Sequence, residues 1–328
     1  MKPSETIAPP SSEVYYKAGY WNDIPSVASE INRRITGSPV RSYLDRFIDR
    51  IGTRRFARGL FLNCGSGWVE REFFSRGIID TAVGIDYTED LLSQAREAAG
   101  DLPIRYLRMD VNDAQFPDDR YDLIVNYAAC HHIAYVDRVF RNLCSRLTPD
   151  GWFVNYDYVG AHRNQYPYDQ WAAVWELNNR LPAAARQILK YAHLPTMLAT
   201  DPSEAVHSEL ILETFRRYFT IAEYQPTGGA LAYPLLTFNK GLTAVDPECR
   251  EAVVATILQS DHRFLIERPD LTQFAYWCGQ PRHDVLEDRA MLERWERDEG
   301  AREEAARANG GLYYTHTLLQ ALIYPDIE

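Results

Sequence analysis

Glycine and polar residues that could bind a nucleotide-like ligand recur where short apolar stretches of this sequence end. FLNCGSG contains two glycines in a tight loop, and the carboxylate of GID follows roughly twenty residues later. Glycines allow close approach of the backbone, a carboxylate there can accept from both ribose hydroxyls, and another can accept from an adenine amino group. The pattern predicts a dinucleotide or another adenosine-bearing ligand, contacted by Asn63, Gly65, Gly67, Asp86, Tyr87, Asp110, Val111 and Asn126.

A second group of residues could move a proton or orient the residue that does so. His131 and His132 follow the fourth apolar stretch, and a histidine with a near-neutral pKa suits a general base. Asp157 ends the fifth stretch and is a base, a residue that orients a base, or a cap. His162 begins the next segment and can face the same place. These four are the predicted catalytic residues, with His131 the first choice for the base. The alternative for the two adjacent histidines is a buried pair bonded to the backbone.

The spacing of the histidines and cysteines argues against a metal site. Adjacent histidines rarely bind one ion from the end of a strand, and no third histidine follows at a ligand spacing. The five cysteines are scattered and include no Cys-x-x-Cys pair, so neither a zinc site nor a disulfide framework is indicated. We therefore predict no metal ligand.

The elements that would position these residues alternate between strands and helices. Apolar runs such as ARGLFLNC, TAVGID and YDLIVNYA predict strands, and the segments between them place apolar residues at helical spacing. LTPDG predicts a turn before the fifth strand, WFVNYDYV. This alternation with short connections predicts an α/β fold with a doubly wound, mostly parallel, seven-stranded Rossmann-like sheet. Ligands of such sheets bind at the carboxyl ends of the strands, at the topological switch point.

The alternation lapses after the fifth strand, where a helical, aromatic insert precedes the last two strands. We predict five segments along the chain. They are an N-terminal lid segment (1–55), a cofactor-binding core (56–160), a helical insert that covers the acceptor (161–205), the remainder of the sheet (206–280) and a helical C-terminal extension (281–328). The aromatic residues from Tyr15 to Trp21 and the insert should close over the site. DPSEAVHS predicts a helix-capping box of Asp201 and Glu204, and the charged C-terminal run predicts a solvated helix.

Composition limits the classes of partner. The chain has 328 residues, 46% of them hydrophobic, and a formal net charge of −11. Nucleic acid is therefore disfavoured, because phosphate contacts need clustered Lys and Arg. No apolar run approaches the ~20 residues of a membrane span, and MKPSETIAPPSSE lacks the apolar segment of a signal peptide. We expect a cytoplasmic protein that acts on a small molecule, and a homo-oligomer stays open.

Together these stretches resemble the class I S-adenosylmethionine-dependent methyltransferases. The matching pieces are FLNCGSG, GID, MDV, YDLIVNYAACHHI and LTPDGWFV, over about residues 57–160. The resemblance implies S-adenosyl-L-methionine as the cofactor and methyl transfer as the activity. DYVGAHRNQY, DPSEAVHSELILETF and PTGGALAYPLL resemble a subgroup found beside glycosyltransferases in polysaccharide and secondary-metabolite pathways. That subgroup implies a hydroxyl or amine of a sugar or glycosylated metabolite as the acceptor.

Two positions of the loop depart from the family pattern. The family usually has an acid where this chain has Phe61 and a glycine where it has Asn63. Asparagine tolerates the left-handed backbone conformation better than other non-glycine residues, so the loop is still expected to bind. Glu70 follows the loop and either replaces the acid near the positively charged cofactor or interacts favourably with the helix dipole.

Two other functions stay open from the residues alone. A nicotinamide-dependent oxidoreductase uses a similar sheet, although Asp110 and the absence of a full Gly-x-Gly-x-x-Gly motif argue against it. The other alternative is a non-catalytic binding or scaffold protein that retains the fold, because Phe61 and Asn63 alter the loop.

Overall fold

The structure is a computed structural model of the chain, and it describes residues 19–117 and 120–308. Its strands are β1 Phe56–Leu62, β2 Ile79–Asp86, β3 Ile104–Arg108, β4 Tyr121–Tyr127, β5 Leu147–Tyr158, β6 Phe219–Gly228 and β7 Phe274–Pro281. Its α-helices are α1 Pro25–Thr36, α2 Tyr43–Ile51, α3 Trp68–Ser75, α4 Glu89–Ala99, α5 Val136–Arg146, α6 Tyr168–Arg180, α7 Leu194–Thr200, α8 Ile211–Tyr218, α9 Ala232–Leu236, α10 Lys240–Ala244, α11 Pro247–Glu267 and α12 Arg289–Ala308.

The seven strands form one sheet in the order β3-β2-β1-β4-β5-β7-β6. The first five strands are parallel, and β7 runs antiparallel to both of its neighbours. The strand order reverses between β1 and β4, which creates a crevice at the carboxyl ends of these two strands. The predicted doubly wound, mostly parallel, seven-stranded sheet is confirmed.

Two hydrophobic layers cover the faces of the sheet. One contains Phe47 of α2, Phe73 of α3 and Val254 of α11, all fully buried. The other contains Phe140 of α5 and Phe215 of α8, which are also fully buried. Alternate residues at the end of β1 belong to the two layers, because successive side chains of a strand point to opposite faces. A strand buried on both faces reads as a continuous apolar run, as this one does.

Local capping explains where two of the helices begin. α2 follows Ser42, and Asp45 Oδ2 accepts a hydrogen bond from the Ser42 amide at 2.8 Å in a capping box. α11 has Pro247 in its first turn, and Asp246 Oδ1 accepts from the Cys249 amide at 2.9 Å. The side chains satisfy amides that have no partner within the helix, so these starts are determined by neighbouring residues.

Three local predictions differ from the structure. LTPDG, predicted as a turn, is the beginning of β5. Residues 206–280, predicted as the rest of the sheet, also contain the long helix α11. Asp201 and Glu204 do not form the capping box of a following helix: Asp201 is the C-cap of α7, turns follow it, and α8 begins only at Ile211. In the last case a tertiary contact of Glu204, described below, takes the place of the predicted local one.

The predicted helical insert and helical C-terminal extension are both present. The insert contains α6 and α7, and α12 forms the described part of the extension. α12 is anchored rather than simply solvated, because the Glu299 carboxylate accepts from the amides of Asp137 and Arg138 at 3.0 and 3.3 Å. Tyr15, Tyr16 and residues 309–328 lie outside the described residues. Among the described helices, none is both long and apolar enough to cross a membrane.

Candidate active site

The loop after β1 has the backbone conformation that its glycines permit. Gly65 and Gly67 have φ angles of 56° and 72°. Asn63 has a φ angle of 44°, which confirms that asparagine adopts the left-handed conformation here. A Cβ atom at Gly67 would lie 2.3 Å from the Tyr106 hydroxyl oxygen, so a larger residue would have to displace that ring. The loop is therefore a tight backbone turn at the crevice of the sheet.

Asp86 connects the end of β2 to this loop. Its Oδ2 accepts a hydrogen bond from the Gly65 amide at 2.8 Å, and its Oδ1 accepts from the Thr88 amide at 2.8 Å. The residue is 7% exposed, and burial raises the pKa of its carboxyl above the usual value. A carboxylate oxygen can accept more than one hydrogen bond, so further donors such as ribose hydroxyls fit here.

The end of β3 provides the second predicted carboxylate. Asp110 is half-buried, and its Oδ1 accepts from the backbone amide and the side-chain nitrogen of Asn112 at 2.9 and 3.0 Å. Val111 beside it is buried, and Tyr87 is half-buried after β2. Because β2 and β3 are adjacent and parallel, these residues lie at the same edge of the sheet. Their contacts with a ligand stay predictions.

Glu70 lies beneath the loop rather than on its surface. Phe61, at the position of the family's acid, packs edge-on against Phe73 with the ring centroids 5.4 Å apart. Glu70 is fully buried, and neither of its carboxylate oxygens has a hydrogen-bond partner among the described residues. Burial raises the pKa of Glu70 to about 7. The residue is in the first turn of α3, where a carboxylate interacts favourably with the helix dipole, but its side chain is buried rather than exposed on the helix surface.

Asp157 is fully buried at the end of β5 and is surrounded by hydrogen-bond donors. Its Oδ2 accepts from the Asn126 side chain at 2.8 Å and from the amides of Ala129 and Cys130 at 3.1 and 2.6 Å. Its Oδ1 lies 2.5 Å from His131 Nδ1. Of the alternatives predicted for Asp157, this geometry matches the residue that orients a histidine.

Two asparagines connect the glycine loop with the loop after β4. Asn63 Nδ2 donates to the Ala129 carbonyl oxygen at 3.2 Å. Asn126 is fully buried, and its Oδ1 accepts from the Cys130 amide at 2.9 Å while its Nδ2 donates to Asp157. The side chain of Asn126 therefore holds protein groups in place, and its direct contact with a ligand stays a prediction.

The two histidines differ in their electrostatic environment. Burial by itself lowers the pKa of His131, but the charge and hydrogen bond of Asp157 raise it to about 9. Burial and the neighbouring His131 lower the pKa of His132. The ring centroids of the two residues lie 4.2 Å apart. A protonated His131 does not accept a proton, so its role as the base stays a prediction.

Glu204, which was predicted to cap a helix, completes this group. Its Oε2 lies 3.8 Å from His131 Nε2 and 3.8 Å from His132 Nε2. His132 Nδ1 lies 3.0 Å from Ser203 Oγ, which donates to Asp201 Oδ1 at 2.7 Å. We call His131, His132, Asp157 and Glu204 the histidine cluster.

Backbone hydrogen bonds dock the segment that carries Glu204 onto the loop after β4. The Val206 amide donates to the His131 carbonyl oxygen at 3.1 Å, and the Arg163 amide donates to the Ala205 carbonyl oxygen at 2.8 Å. Arg163 Nη1 also donates to the Glu204 carbonyl oxygen at 3.1 Å. Sequence reasoning missed Glu204 as a site residue. The available signal was an acidic segment, DPSE, that could supply a carboxylate to the histidine pair.

His162 has different contacts from the other predicted catalytic residues. It is 3% exposed, its Nε2 lies 3.2 Å from Glu209 Oε2, and its ring lies 6.0 Å from the ring of His207. The structure brings together His131, His132 and Asp157, and pairs His162 with another carboxylate. A catalytic role of His162 stays a prediction.

The charge of Glu204 acts on tyrosines from separate segments of the chain. Burial, followed by the charge of Glu204, raises the pKa of Tyr20 and of Tyr166, which come from the N-terminal segment and the insert. Tyr158 packs against His131 with the ring centroids 6.2 Å apart, and against Tyr233 at 6.0 Å. Both segments that were predicted as lids thus contribute a side chain near the cluster.

Comparison with known proteins identifies one matching family. Residues 60–155 match the model of the family described as "Methyltransferase domain". Uncharacterized methyltransferases of Mycobacterium tuberculosis and Mycobacterium bovis are 33% identical over 92 residues, which is 28% of this chain and 46% of each relative. The chain therefore spans less than half the length of these relatives.

Solved structures give more distant matches. An S-adenosylmethionine-dependent methyltransferase from Mesorhizobium loti is 20% identical, with 73% of this chain and 98% of that chain covered and a TM-score of 0.44. Haemonchus contortus phosphoethanolamine N-methyltransferase 2, in complex with S-adenosyl-L-methionine, is 16% identical, with 80% and 58% covered and a TM-score of 0.42.

The residues of the matched segment fit the cofactor of that family. The bare turn at Gly65 and Gly67 allows close approach, and Asp86 retains capacity for hydroxyl donors beside it. These features lie at the crevice where such sheets bind their ligands. Residues 60–155 are thus similar to a methyltransferase domain, and their bare turn and the carboxylate of Asp86 fit S-adenosylmethionine as the cofactor.

Proposed function

We propose that this chain transfers a methyl group from S-adenosylmethionine to a hydroxyl or amine of a small-molecule acceptor, a sugar or glycosylated metabolite. The observation that carries the proposal is the hydrogen bond between Asp86 and the Gly65 amide, within the segment that matches the methyltransferase family. That bond fixes a carboxylate beside a backbone turn at the switch point of the sheet. When bound, the cofactor supplies an electrophilic methyl group.

In this proposal the residues at the end of β2 and β3 hold the adenosine part of the cofactor. Asp86 accepts from the ribose hydroxyls, and Asp110 accepts from the adenine amino group. Support comes from the adjacent, parallel arrangement of the two strands, which puts both carboxylates at one edge. Glu70 supports the loop from below, because it is fully buried in the first turn of α3.

The histidine cluster faces the acceptor in this proposal. His131 and Asp157 belong to the ends of β4 and β5, which follow β1 in the sheet on the side away from β2. The acceptor and the adenosine part of the cofactor would thus occupy opposite sides of the switch point. The 2.5 Å contact with Asp157 fixes the orientation of the His131 ring, which leaves Nε2 to face outward toward Glu204.

A sugar as the acceptor is supported by the aromatic residues near Glu204. Tyr20, Tyr158, Tyr166 and Tyr233 combine apolar rings with hydroxyl groups, and such rings can stack on a sugar while the hydroxyls contact polar groups. Tyr20 and Tyr166 come from the two proposed lids. Closure of both segments over the acceptor would exclude water during methyl transfer.

Incubation with methyl-labelled S-adenosylmethionine tests the proposal. The acceptors are a panel of sugars, sugar nucleotides and glycosides, with the sugar-free alcohols and amines of the glycosides as matched controls. We expect labelled product from the sugar-containing set. Labelling of the sugar-free controls alone would contradict a sugar as the acceptor but would still support methyl transfer as the activity.

Binding measurements distinguish the other two functions. Titration calorimetry with S-adenosylmethionine and with a nicotinamide dinucleotide should show binding of the first ligand only. Binding of the dinucleotide alone would favour the oxidoreductase. Binding of S-adenosylmethionine without labelled product from any acceptor would favour the scaffold protein.

A further inference from the structure

Three potential metal ligands converge in the histidine cluster. Nε2 of His131 and Nε2 of His132 each lie 3.8 Å from the same oxygen of Glu204, and all three atoms lie within 4.8 Å of one another. These separations are too long for hydrogen bonds. Two ligand atoms that each lie about 2.0–2.2 Å from one ion are separated by roughly 3–4 Å, so small side-chain movements would let all three share an ion.

The other ring nitrogens are held as they are in metal-binding histidines. His131 Nδ1 lies 2.5 Å from the buried carboxylate of Asp157, and His132 Nδ1 lies 3.0 Å from the hydroxyl of Ser203. Ligating histidines usually bond their second nitrogen to a carboxylate, carbonyl or water, which fixes the ring and its tautomer. Asp201 in turn accepts from Ser203 at 2.7 Å. Both rings are therefore oriented with Nε2 toward Glu204.

The charges around the two imidazoles favour a cation. Asp157 and Asp201 are both buried, and Glu204 brings a third carboxylate to the same place. Buried carboxylates are costly unless a positive charge compensates for them, and here a metal ion would take the place of the proton on His131 Nε2.

We propose that His131 Nε2, His132 Nε2 and Glu204 Oε2 bind one divalent first-row transition-metal ion of the Zn²⁺ type. Two imidazoles and one carboxylate suit such an ion and are a poor set for Mg²⁺, which prefers oxygen ligands. Three protein ligands leave a coordination position open. The sequence argued against a metal site because no third histidine follows at a ligand spacing. In the structure the third ligand is instead the carboxylate of Glu204, which comes from a distant segment.

The open position gives the ion a role toward the acceptor, and this role rests on the proposed function. A hydroxyl oxygen of the acceptor would coordinate the ion there, and the ion would lower the pKa of that hydroxyl as it lowers that of bound water. The hydroxyl proton would leave to solvent. The resulting oxygen would attack the methyl carbon while the bond from that carbon to the sulfonium sulfur breaks, and S-adenosylhomocysteine would be the leaving group. Binding of the ion itself does not depend on this role.

Metal titration of the full chain after chelator treatment tests the site. We expect one Zn²⁺ per chain by calorimetry, and a visible absorption band when Co²⁺ is added instead. Glu204→Gln and His132→Ala should each weaken Zn²⁺ binding by at least about 10-fold. Glu213→Gln, which removes a carboxylate that pairs with Arg217 on α8, should leave it unchanged. Circular dichroism verifies that each variant is folded.

Three outcomes would overturn the proposal. They are the absence of Zn²⁺ and Co²⁺ binding to folded wild type, wild-type affinity in both cluster variants, and equal affinity for Mg²⁺. Calorimetry with S-adenosylmethionine on the same samples separates this result from the proposed function. Stoichiometric Zn²⁺ binding without cofactor binding would support the metal site and contradict methyl transfer. Cofactor binding without Zn²⁺ binding would support the proposed cofactor and contradict the metal site.

Discussion

The glycine loop with Asp86 and the histidine cluster lie at the same edge of the sheet but are assembled differently. Gly65 and Asp86 are 21 residues apart, within one β-α-β unit. His132 and Ser203 are 71 residues apart, and the chain passes through β5 and the insert between them. The first site depends on the local course of the chain. The second depends on how a distant segment docks, as the backbone bond from Val206 to His131 illustrates.

The two regions also differ in how they hold their charges. Asp86 bonds two backbone amides at the crevice, whereas Asp157 is fully buried and is bonded to donors from several residues. A change in the first region should mainly alter ligand affinity. A change in the second should alter the stability of the fold itself, because it leaves buried groups without partners.

The largest expected effect is therefore at Asp157. Asp157→Ala should lower the free energy of unfolding by about 3–5 kcal/mol, the usual effect of removing one partner of a buried charged pair. Urea denaturation measures this. Asp122→Ala is the matched control, because Asp122 accepts from the amides of Ala57 and Arg58 at a more exposed place and should matter less. Equal losses in both variants would contradict the contrast between the regions.

Glu70 should make stability depend on pH. Its pKa is 4.5 in the unfolded chain and about 7 in the folded protein, so the folded state retains a proton that the unfolded state loses between these values. The free energy of unfolding should fall as the pH rises from 4.5 to 7, by about 3 kcal/mol at ~1.4 kcal/mol per pKa unit, and stay level above.

Glu70→Gln should remove this dependence. The variant should be more stable than wild type by about 3 kcal/mol at pH 8 and equally stable below pH 4.5, as measured by urea denaturation. Glu72→Gln, two residues later on the same helix, is the control and should have a smaller effect since Glu72 is partly exposed. A constant difference at both pH values would exclude the titration of Glu70 as the cause.

Asp86→Ala should affect the cofactor more than the fold. We expect the binding free energy of S-adenosylmethionine to weaken by about 1.5–3 kcal/mol, the range for a hydrogen bond to a charged group. Calorimetry measures the affinity, and thermal unfolding verifies that the variant is folded. Wild-type affinity in the variant would show that Asp86 does not bind the ribose hydroxyls and that the ribose is bound elsewhere.

Asn63 joins the two regions, and its replacement by glycine should have the smallest effect. Asn63→Gly keeps the left-handed backbone but removes the bond to the Ala129 carbonyl oxygen, which should lower the free energy of unfolding by about 1 kcal/mol. Asn63→Ala should lose about 1–2 kcal/mol more, because alanine is strained at a φ angle of 44°. Denaturation of both variants tests this order, and equal losses would exclude a backbone contribution.

The cofactor side was largely predictable because its signals are local. The alternation of strands and helices, the positive φ at Gly65 and Gly67 and the position of Asp86 at the end of β2 follow from residues near them in the chain. The insert and the antiparallel end of the sheet left weaker patterns. Helix α11 was missed, and LTPDG was predicted as a turn, because periodicity describes an element's exposure and not its neighbours.

The sequence by itself determined the α/β fold and the loop that marks the cofactor side, because hydrophobic periodicity and glycine conformation act over a few residues. Only the tertiary structure decided the position of Glu204 beside His131 and His132. The sequence around Glu204 also fits a helix cap, so the local sequence does not distinguish that cap from a contact with the two histidines. The docking of the segment onto the loop after β4 does. The burial of Glu70 was decided in the same way, because it depends on packing around α3 that no local pattern encodes.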